Sequence, residues 1–456
     1  MLFVSISQLD QVQQIQNELC GIELRLDLFP HINIVELERF IQKATSPLLL
    51  TVRRASHGGK FQGTESEREE LIEQLLTLEP SFFDLEYDMR SQFLVETMRK
   101  YSKTKFILSY HNFKETPCDL EKVYNSMQQH PAFTYKIATM IQVTSDALRM
   151  LLFSKQHPKV SAICMGERGQ FARVLGPVFG NLVNYAKIPA AEEIGVGRLS
   201  VEELQRQYHY FVLNQETVIY GLIGNPVEKS IGHLHHNSLF RKEGRNAIYV
   251  KMIVTQEELA DFMPLAHAVG IRGLSVTMPL KENIVPFIDA LEPFAKKIGA
   301  INTLLLQDGR TIGTNTDGVG ALDAIEARGA VQGRMVVLLG AGGAARSIAF
   351  EALSRGARVL VLNRTISKAE EVAAAVGCEA GGLDQLLELY DILINCSPDP
   401  MPIDPQKIRK EALVMDLIYV PSETPFLKEA IARGCQIIYG EEMFLNQAAA
   451  QRAFWI

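Results

Sequence analysis

The stretch "TYKIATM", residues 134–140, is apolar and β-prone except for one lysine, Lys136. Burying an ammonium is costly. Such a lysine either lays its stem inside and sends its head to water, or it stands desolvated as a free amine. The second case is a nucleophile. Desolvation and neighbouring positive charge lower a lysine's pKa by ~3 units or more, and a neutral amine attacks a ketone to form a Schiff base. The iminium acidifies the adjoining carbon. A histidine that titrates near neutrality takes that proton and returns it to a leaving hydroxyl. His111, at the end of "KFILSYHNF", is the candidate, and Glu86, at the end of "FFDLEY", is a carboxylate able to orient the imidazole and stabilise its charged form. Glu23 and Arg25 in "GIELRLDLF" and Arg53 in "LLLTVRR" complete the set; arginines there hold a carboxylate substrate bidentately.

Those residues need a scaffold that brings successive strand ends together. The β-rich runs "LFVSI", "GIELRLDLF", "LLLTVRR", "FFDLEY", "KFILSYHNF", "TYKIATM", "VSAICMGE" and "LVNYA" alternate with helical patterns such as "ESEREELIEQLLTL" and "SDALRMLLFSK". Eight such alternations over the first ~200 residues fit an α/β fold, a (β/α)8 TIM barrel, whose active site forms at the C-terminal strand ends. A doubly wound open sheet competes, but it brings an early glycine-rich phosphate turn, and this half has none.

The motifs "ELRLD", "TVRRASHGG", "SYHNF", "YKIATM" and "MGERGQFAR", in that order, resemble those of type I 3-dehydroquinate dehydratase over about residues 1–208. The resemblance implies Lys136 as the Schiff-base lysine, His111 as general acid/base with Glu86 as its partner, and Glu23, Arg25, Arg53 and Arg173 as substrate-binding residues. The late loop departs from the family: "PAAEEI" puts Pro189 and Glu193 where a serine and a glutamine usually meet the substrate.

The pattern restarts near residues 209–218. "MVVLLGAGGAARSIAFEALSRGARVLVLNRT" reads as strand, glycine turn, helix, strand. Gly340, Gly342 and Ala345 give G-x-G-x-x-A, so the backbone of Gly340, Ala341, Gly342, Gly343 and Ala344 and the helix N-terminus can hold a pyrophosphate. An acid at the end of the second strand would signal NAD. Asn363, Arg364 and Thr365 stand there instead, a cation with polar neighbours, and point to the 2′-phosphate of NADP. Upstream, "GLSVTMPLKENI" carries Lys281 and "GTNTDGVG" carries Asp317. Each alone is an ordinary surface or turn residue; together they make a proton-handling pair for reducing a ketone.

"IGNPVEKS", "VTMPLK", "GAINT", "TNTDG", "GAGGAAR", "NRT" and "GEEMFLNQA" are similar to shikimate dehydrogenase over about residues 218–456. The similarity implies Lys281 and Asp317 as the catalytic pair, with Ser230, Thr277, Asn302, Tyr419 and Gln447 binding the substrate. Where that family has a second serine and then a proline, this chain has Gly232 and His233, which leaves His233 or His235 to replace a lost carboxylate contact. "NCSPDP" also lacks the family's glycine.

The expected organisation is a dehydratase barrel over 1–208, a two-lobed dehydrogenase with its substrate lobe over 209–317 completed by 440–456, and a Rossmann NADP domain over 318–439. Such a chain turns 3-dehydroquinate into 3-dehydroshikimate and then, with NADPH, into shikimate. Two alternatives share the folds: a metabolite-sensing non-enzyme, and a Schiff-base aldolase fused to an NAD-linked quinate-type dehydrogenase. A sensor should have lost its reactive groups, yet Lys136, His111, Lys281 and Asp317 are all present. Bulk properties agree with an enzyme of small molecules. The net charge of −7 over 456 residues argues against nucleic acid, and no apolar run approaches the ~18 residues of a membrane span. Six cysteines scattered without a CxxC pair point to reduced thiols and a cytoplasm. No metal motif is present, and the oligomeric state is not written in the chain.

Overall fold

The structure, a computed structural model, describes residues 1–15, 19–188, 197–386 and 388–456. It divides into two compact units. One comprises Met1–Ile219, His233–Met252 and Pro264–Gly270; the other comprises Tyr220–Gly232, Ile253–Met263 and Ile271–Ile456. Among the described residues no helix is long and apolar enough to cross a membrane.

The first unit contains a parallel barrel. Its strands are β1 (Leu2–Ile6), β2 (Gly21–Arg25), β3 (Leu48–Thr51), β4 (Phe82–Glu86), β5 (Lys105–Asn112), β6 (Thr134–Met140), β7 (Val160–Met165) and β8 (Asn184–Lys187). Successive strands pair in order and β8 pairs with β1. Between β7 and β8 side chains stand in for the ladder. Asn181 spans both backbone groups of Ala162, accepting from its N–H at 3.1 Å and donating to its C=O at 2.9 Å, while Ser161 Oγ accepts from Leu182 N at 3.1 Å. The intervening helices begin at well-formed caps. Thr64 and Ser200 each accept from the third helical amide, and Glu67 and Glu203 reach back to the cap.

Strand alternation decides what fills the barrel. Phe3, Leu49, Phe82 and Ile107 form an apolar layer with Val183 and Tyr185. Two residues further along their strands come Ser5, Thr51, Asp84 and Ser109, all buried. The interior thus changes from apolar to polar along the barrel, and the polar end is the end at which the strands finish.

Strands β9 (Val218–Gly224) and β10 (Ala247–Ile253) follow in the chain, then β11 (Ile271–Val276), β12 (Ala290–Leu291), β13 (Thr303–Gln307) and β14 (Arg310–Thr314). β11, β13, β14 and β12 lie side by side in a mixed sheet. The C-terminal helix Gly440–Trp455 packs on that sheet: Trp455 Nε1 donates to Leu304 O at 2.9 Å, and Ser275 Oγ to Gln451 Oε1 at 2.9 Å.

A second, all-parallel sheet runs β17-β16-β15-β18-β19-β20, from β15 (Met335–Leu339), β16 (Arg358–Leu362), β17 (Glu379–Gly381), β18 (Ile392–Asn395), β19 (Leu413–Asp416) and β20 (Gln436–Ile438). Both faces are buried, one under Ile348, Ala349 and Val372, the other under Phe426 and Leu427. That order is the doubly wound one, and it reverses between β15 and β18, where such sheets bind their ligands.

Candidate active sites

The C-terminal ends of the barrel strands converge on a cavity of about 250 Å³ whose lining includes Glu23, Arg25, Arg53, His111, Lys136 and Arg173. Lys136 is only 4% exposed. Its Nζ donates to Asp84 Oδ2 at 2.6 Å and lies 4.6 Å from the centre of the Tyr185 ring. Burial pushes the Lys136 pKa down to about 8, with Arg53 pushing the same way and Asp84 resisting. Burial alone would raise Asp84, but Arg53 and Lys136 outweigh it and hold the carboxyl well below its usual range. Ser109 Oγ donates to Asp84 Oδ1 at 2.6 Å, and Arg53 Nη2 lies 2.8 Å from Asp84 Oδ2. The amine therefore rests as an ammonium paired with one carboxylate, but one that gives up its proton far more readily than an exposed lysine.

His111 is held well below the ordinary histidine value by burial, then by Arg53, Lys136 and His57. It is a neutral base in the resting site. Phe113 stacks on its ring at 6.1 Å, and the His57 ring meets it edge-on at 5.9 Å. Here the structure corrects an expectation. Glu86 is not the partner of His111: among the described residues its carboxylate is taken by Arg68 Nη1 at 2.6 Å and by Arg54 N at 3.2 Å, with Arg53 Nη1 at 3.5 Å. Two buried guanidiniums compete for Glu86, and a neutral imidazole offers it less. Glu86 instead helps to place Arg53.

Glu23 accepts from Ser5 and from Thr51 Oγ1 at 3.0 Å; burial would raise its pKa, but Arg198, Lys136 and Arg25 outweigh it and hold the carboxyl below its usual range. Arg25 is already bidentate on Asp27, at 2.9 and 2.8 Å. Arg173 donates through Nε to Cys164 O at 2.7 Å, and burial followed by Arg198 lowers its pKa to about 9. Pro189 and Glu193 lie outside the described residues. Sequence reasoning missed Asp84, His57, Tyr185 and Arg198. Asp84 had a signal: it sits two residues before Glu86, on the same strand face. The others become neighbours only through the barrel.

The second site lies in the other unit. Lys281 Nζ donates to Asp317 Oδ2 at 2.5 Å. Lys281 sits on the short helix Leu280–Asn283 after β11, and Asp317 opens the helix Asp317–Glu326 after β14. Asn302 Nδ2 donates to Asp317 Oδ1 at 2.8 Å and to Gln447 Oε1 at 3.2 Å, tying the pair to the C-terminal helix. Thr316, which the motif reading did not single out, donates its N–H to Asn302 Oδ1 at 2.9 Å. Thr277 packs against Gly224, where a Cβ would stand 2.3 Å from Thr277 Cγ2. Ser230 and Tyr419 hydrogen-bond to each other, and Ser230 Oγ also accepts from Gly232 N at 3.2 Å. His233 Nε2 meets Gln207 Oε1 at 3.1 Å.

The glycine turn adjoins the Lys281–Asp317 pair. A Cβ on Gly343 would lie 3.6 Å from Lys281 Cδ. Gly340 has φ +119° and a Cβ there would press within 3.2 Å of Cys396 C and Ser397 N, so only glycine suits it. At Gly342 a Cβ would meet nothing within 4 Å, so the backbone borders open space. The helix Gly343–Ser354 starts there without a side-chain cap, leaving its first amides for an anion. Asn363 Nδ2 braces the Thr365 carbonyl at 2.9 Å, and Arg364 is exposed with no ion pair among the described residues. These residues fit a dinucleotide with a 2′-phosphate. The loop after β18 keeps its shape without the expected glycine because Asn395 Oδ1 accepts from Ser397 N at 3.0 Å and Asn395 Nδ2 donates to Asp399 O at 2.8 Å.

Known proteins resemble the chain throughout. The type I 3-dehydroquinase family matches residues 4–215, the shikimate dehydrogenase substrate binding domain 222–304, and the shikimate/quinate 5-dehydrogenase family 323–417. The shikimate biosynthesis protein AroDE of Chlamydia pneumoniae is 37% identical over 95% of this chain and 89% of its own length. The chloroplastic bifunctional 3-dehydroquinate dehydratase/shikimate dehydrogenase of Arabidopsis thaliana is 32% identical over 94% of this chain and 76% of its own. A crystal structure of shikimate 5-dehydrogenase from Thermus thermophilus with NADP(H) and shikimate covers 52% of this chain and 93% of its own, at 33% identity and a TM-score of 0.50.

Proposed function

The chain belongs to the family of bifunctional 3-dehydroquinate dehydratase/shikimate dehydrogenases, and from that premise we propose which of its residues perform each reaction. It dehydrates 3-dehydroquinate to 3-dehydroshikimate and reduces 3-dehydroshikimate to shikimate with NADP as cofactor.

In the barrel, Lys136 loses its proton and attacks the substrate ketone. Loss of water from that adduct leaves an iminium on Nζ, with Asp84 close by to stabilise its positive charge. Neutral His111 removes a proton from the carbon beside the iminium. The resulting enamine expels the hydroxyl, which leaves as water with the proton His111 had taken. Water then hydrolyses the conjugated iminium and frees Lys136. Glu23, Arg25, Arg53 and Arg173 hold the substrate. The observation that carries this reading is a lysine 4% exposed, with a pKa of about 8, lining one cavity with a neutral histidine.

In the second site NADPH supplies a hydride when bound. Gly340, Ala341, Gly342, Gly343 and Ala344 hold its pyrophosphate, and Asn363, Arg364 and Thr365 its 2′-phosphate. Lys281, held by Asp317 at 2.5 Å, delivers the proton to the forming alkoxide. Ser230, Thr277, Asn302, Tyr419 and Gln447 bind the substrate.

The barrel forms one domain over 1–208, the dehydrogenase substrate lobe spans 209–317 and is completed by 440–456, and the NADP lobe spans 318–439. In support, the parallel sheet β15–β20 falls inside 335–438 and the C-terminal helix bonds to Ser275 and Leu304. Six free cysteines support a reducing, cytoplasmic setting, and the partners are small molecules rather than nucleic acid or membrane. The test is to supply the purified protein with 3-dehydroquinate and NADPH. Shikimate should accumulate as NADPH is consumed; no consumption, or a cleaved carbon skeleton, overturns the assignment.

A further inference from the structure

A second cavity, of about 440 Å³, opens at the end of the barrel where strands begin, and it shares no lining residue with the catalytic one. It sits where β5 starts and where the chain enters β6, beside the last turn of the helix Ser91–Lys100. Met98, Phe106, Pro131 and Phe133 make part of its wall apolar. Its charged lining is of one sign: Arg99 and Lys105 are exposed there, and no carboxylate lines the cavity.

That excess is local. On the same stretch Lys100 lies 3.9 Å from Glu73, and Lys103 donates to Glu79 at 2.8 and 3.0 Å. Arg99 and Lys105 have no ion pair among the described residues. A helix end favours a cation, which accounts for Arg99 on its last turn but not for Lys105 on a strand. Lys105 holds its Nζ 5.5 Å from the centre of the Phe82 ring and 5.2 Å from that of Phe133. The rings attract the ammonium and leave its N–H donors free. The frame around it is fixed. Lys105 N donates to Ser81 O at 3.1 Å, Phe133 N to Phe106 O at 2.9 Å, and Tyr135 Oη to His130 O at 3.1 Å. His130 also lines the cavity and is 7% exposed. Its Nε2 meets Ser91 Oγ at 3.3 Å, and its buried Nδ1 has no hydrogen-bond partner. Such a polar group costs stability until something satisfies it. An apolar wall of ligand size with a few convergent polar groups is the usual make-up of a small-molecule site. A guanidinium fork takes a planar carboxylate through two N–H groups at once, and the wall takes an apolar body. A bare inorganic anion would leave the wall uncovered, and a neutral ring would leave the cations unpaired.

We propose that this cavity is a second small-molecule site, apart from the catalytic ones, which takes a monocarboxylic acid bearing one aromatic ring: the carboxylate on Arg99 and Lys105, the ring against Met98, Phe106 and Phe133. The test is a ligand-observed NMR titration of the full chain with phenylacetate, 2-phenylethanol and inorganic phosphate. The wild-type protein should bind phenylacetate at least about tenfold more tightly than either of the others. Arg99→Gln and Lys105→Met should each weaken phenylacetate by about tenfold and leave dehydration and shikimate oxidation within about twofold. Arg99→Gln, at an exposed helical position, decides the matter alone should Lys105→Met not fold. Four results would overturn the proposal: no binding of phenylacetate, equal binding of 2-phenylethanol or phosphate, binding unchanged in Arg99→Gln, or activities that fall together with binding, which would place the acid in a catalytic cavity.

Discussion

Asp84 governs the nucleophile. At 2.6 Å from Nζ it favours the ammonium, while burial and Arg53 favour the amine; burial is the largest influence, and the pKa settles near 8. Below that pH the amine is protonated and cannot attack, so kcat/KM for dehydration should rise with pH and level off above about 8. His111 adds no limb near neutrality, since its pKa lies well below 6.5. Removing the Asp84 charge removes support for the ammonium, so Asp84→Asn should move the limb to lower pH. A pH–rate profile of the two proteins checks it, and a limb that stays or moves upward refutes it. Glu86 behaves differently. It is buried and shared by Arg53 and Arg68, so Glu86→Gln takes one carboxylate from two guanidiniums that keep Asp84 and Glu65, and should cost about 1–3 kcal/mol of stability. Denaturant unfolding measures this; a stable variant with an altered His111 titration would restore the Glu86–His111 pairing.

The elements were the part of this protein most open to reading from its chain. "TYKIATM" is β6 to the residue, and "LFVSI" contains β1, because an apolar run bounded by turns and helices leaves few other choices. The helix after "GAGG" and the strand before it were equally plain. Side-chain partnerships were not. Arg68 enters from a helix to claim Glu86, His57 arrives from the loop after β3 to face His111, and Arg198 comes from beyond β8. Each pairing depends on how neighbouring strands are staggered, which no local pattern encodes. The glycine turn offers a test at this scale. A Cβ at Gly342 meets no protein atom within 4 Å, so Gly342→Ala should fold normally yet occupy pyrophosphate space. It should weaken NADPH binding with an unchanged melting temperature; unchanged binding would place the cofactor elsewhere. Arg364→Ala should raise KM for NADPH by about tenfold, roughly 1.4 kcal/mol, and spare NADH. Equal effects on both cofactors would remove the 2′-phosphate from Arg364.

At the scale of the whole molecule, one chain carries two sets of chemical groups, one in each of its two units. Lys136→Ala should end dehydration and leave shikimate oxidation intact, and Lys281→Ala should do the reverse. Assays of both variants in both directions check this, and a single substitution that silences both reactions would contradict it. The dehydration rests on the proposal that Lys136 bonds covalently to the substrate. The most direct measurement is reduction with borohydride in the presence of 3-dehydroquinate, followed by mass spectrometry of the digested protein. The account predicts a stable adduct on the peptide containing Lys136 and none in Lys136→Ala; turnover without any adduct, or an adduct on another lysine, would contradict it.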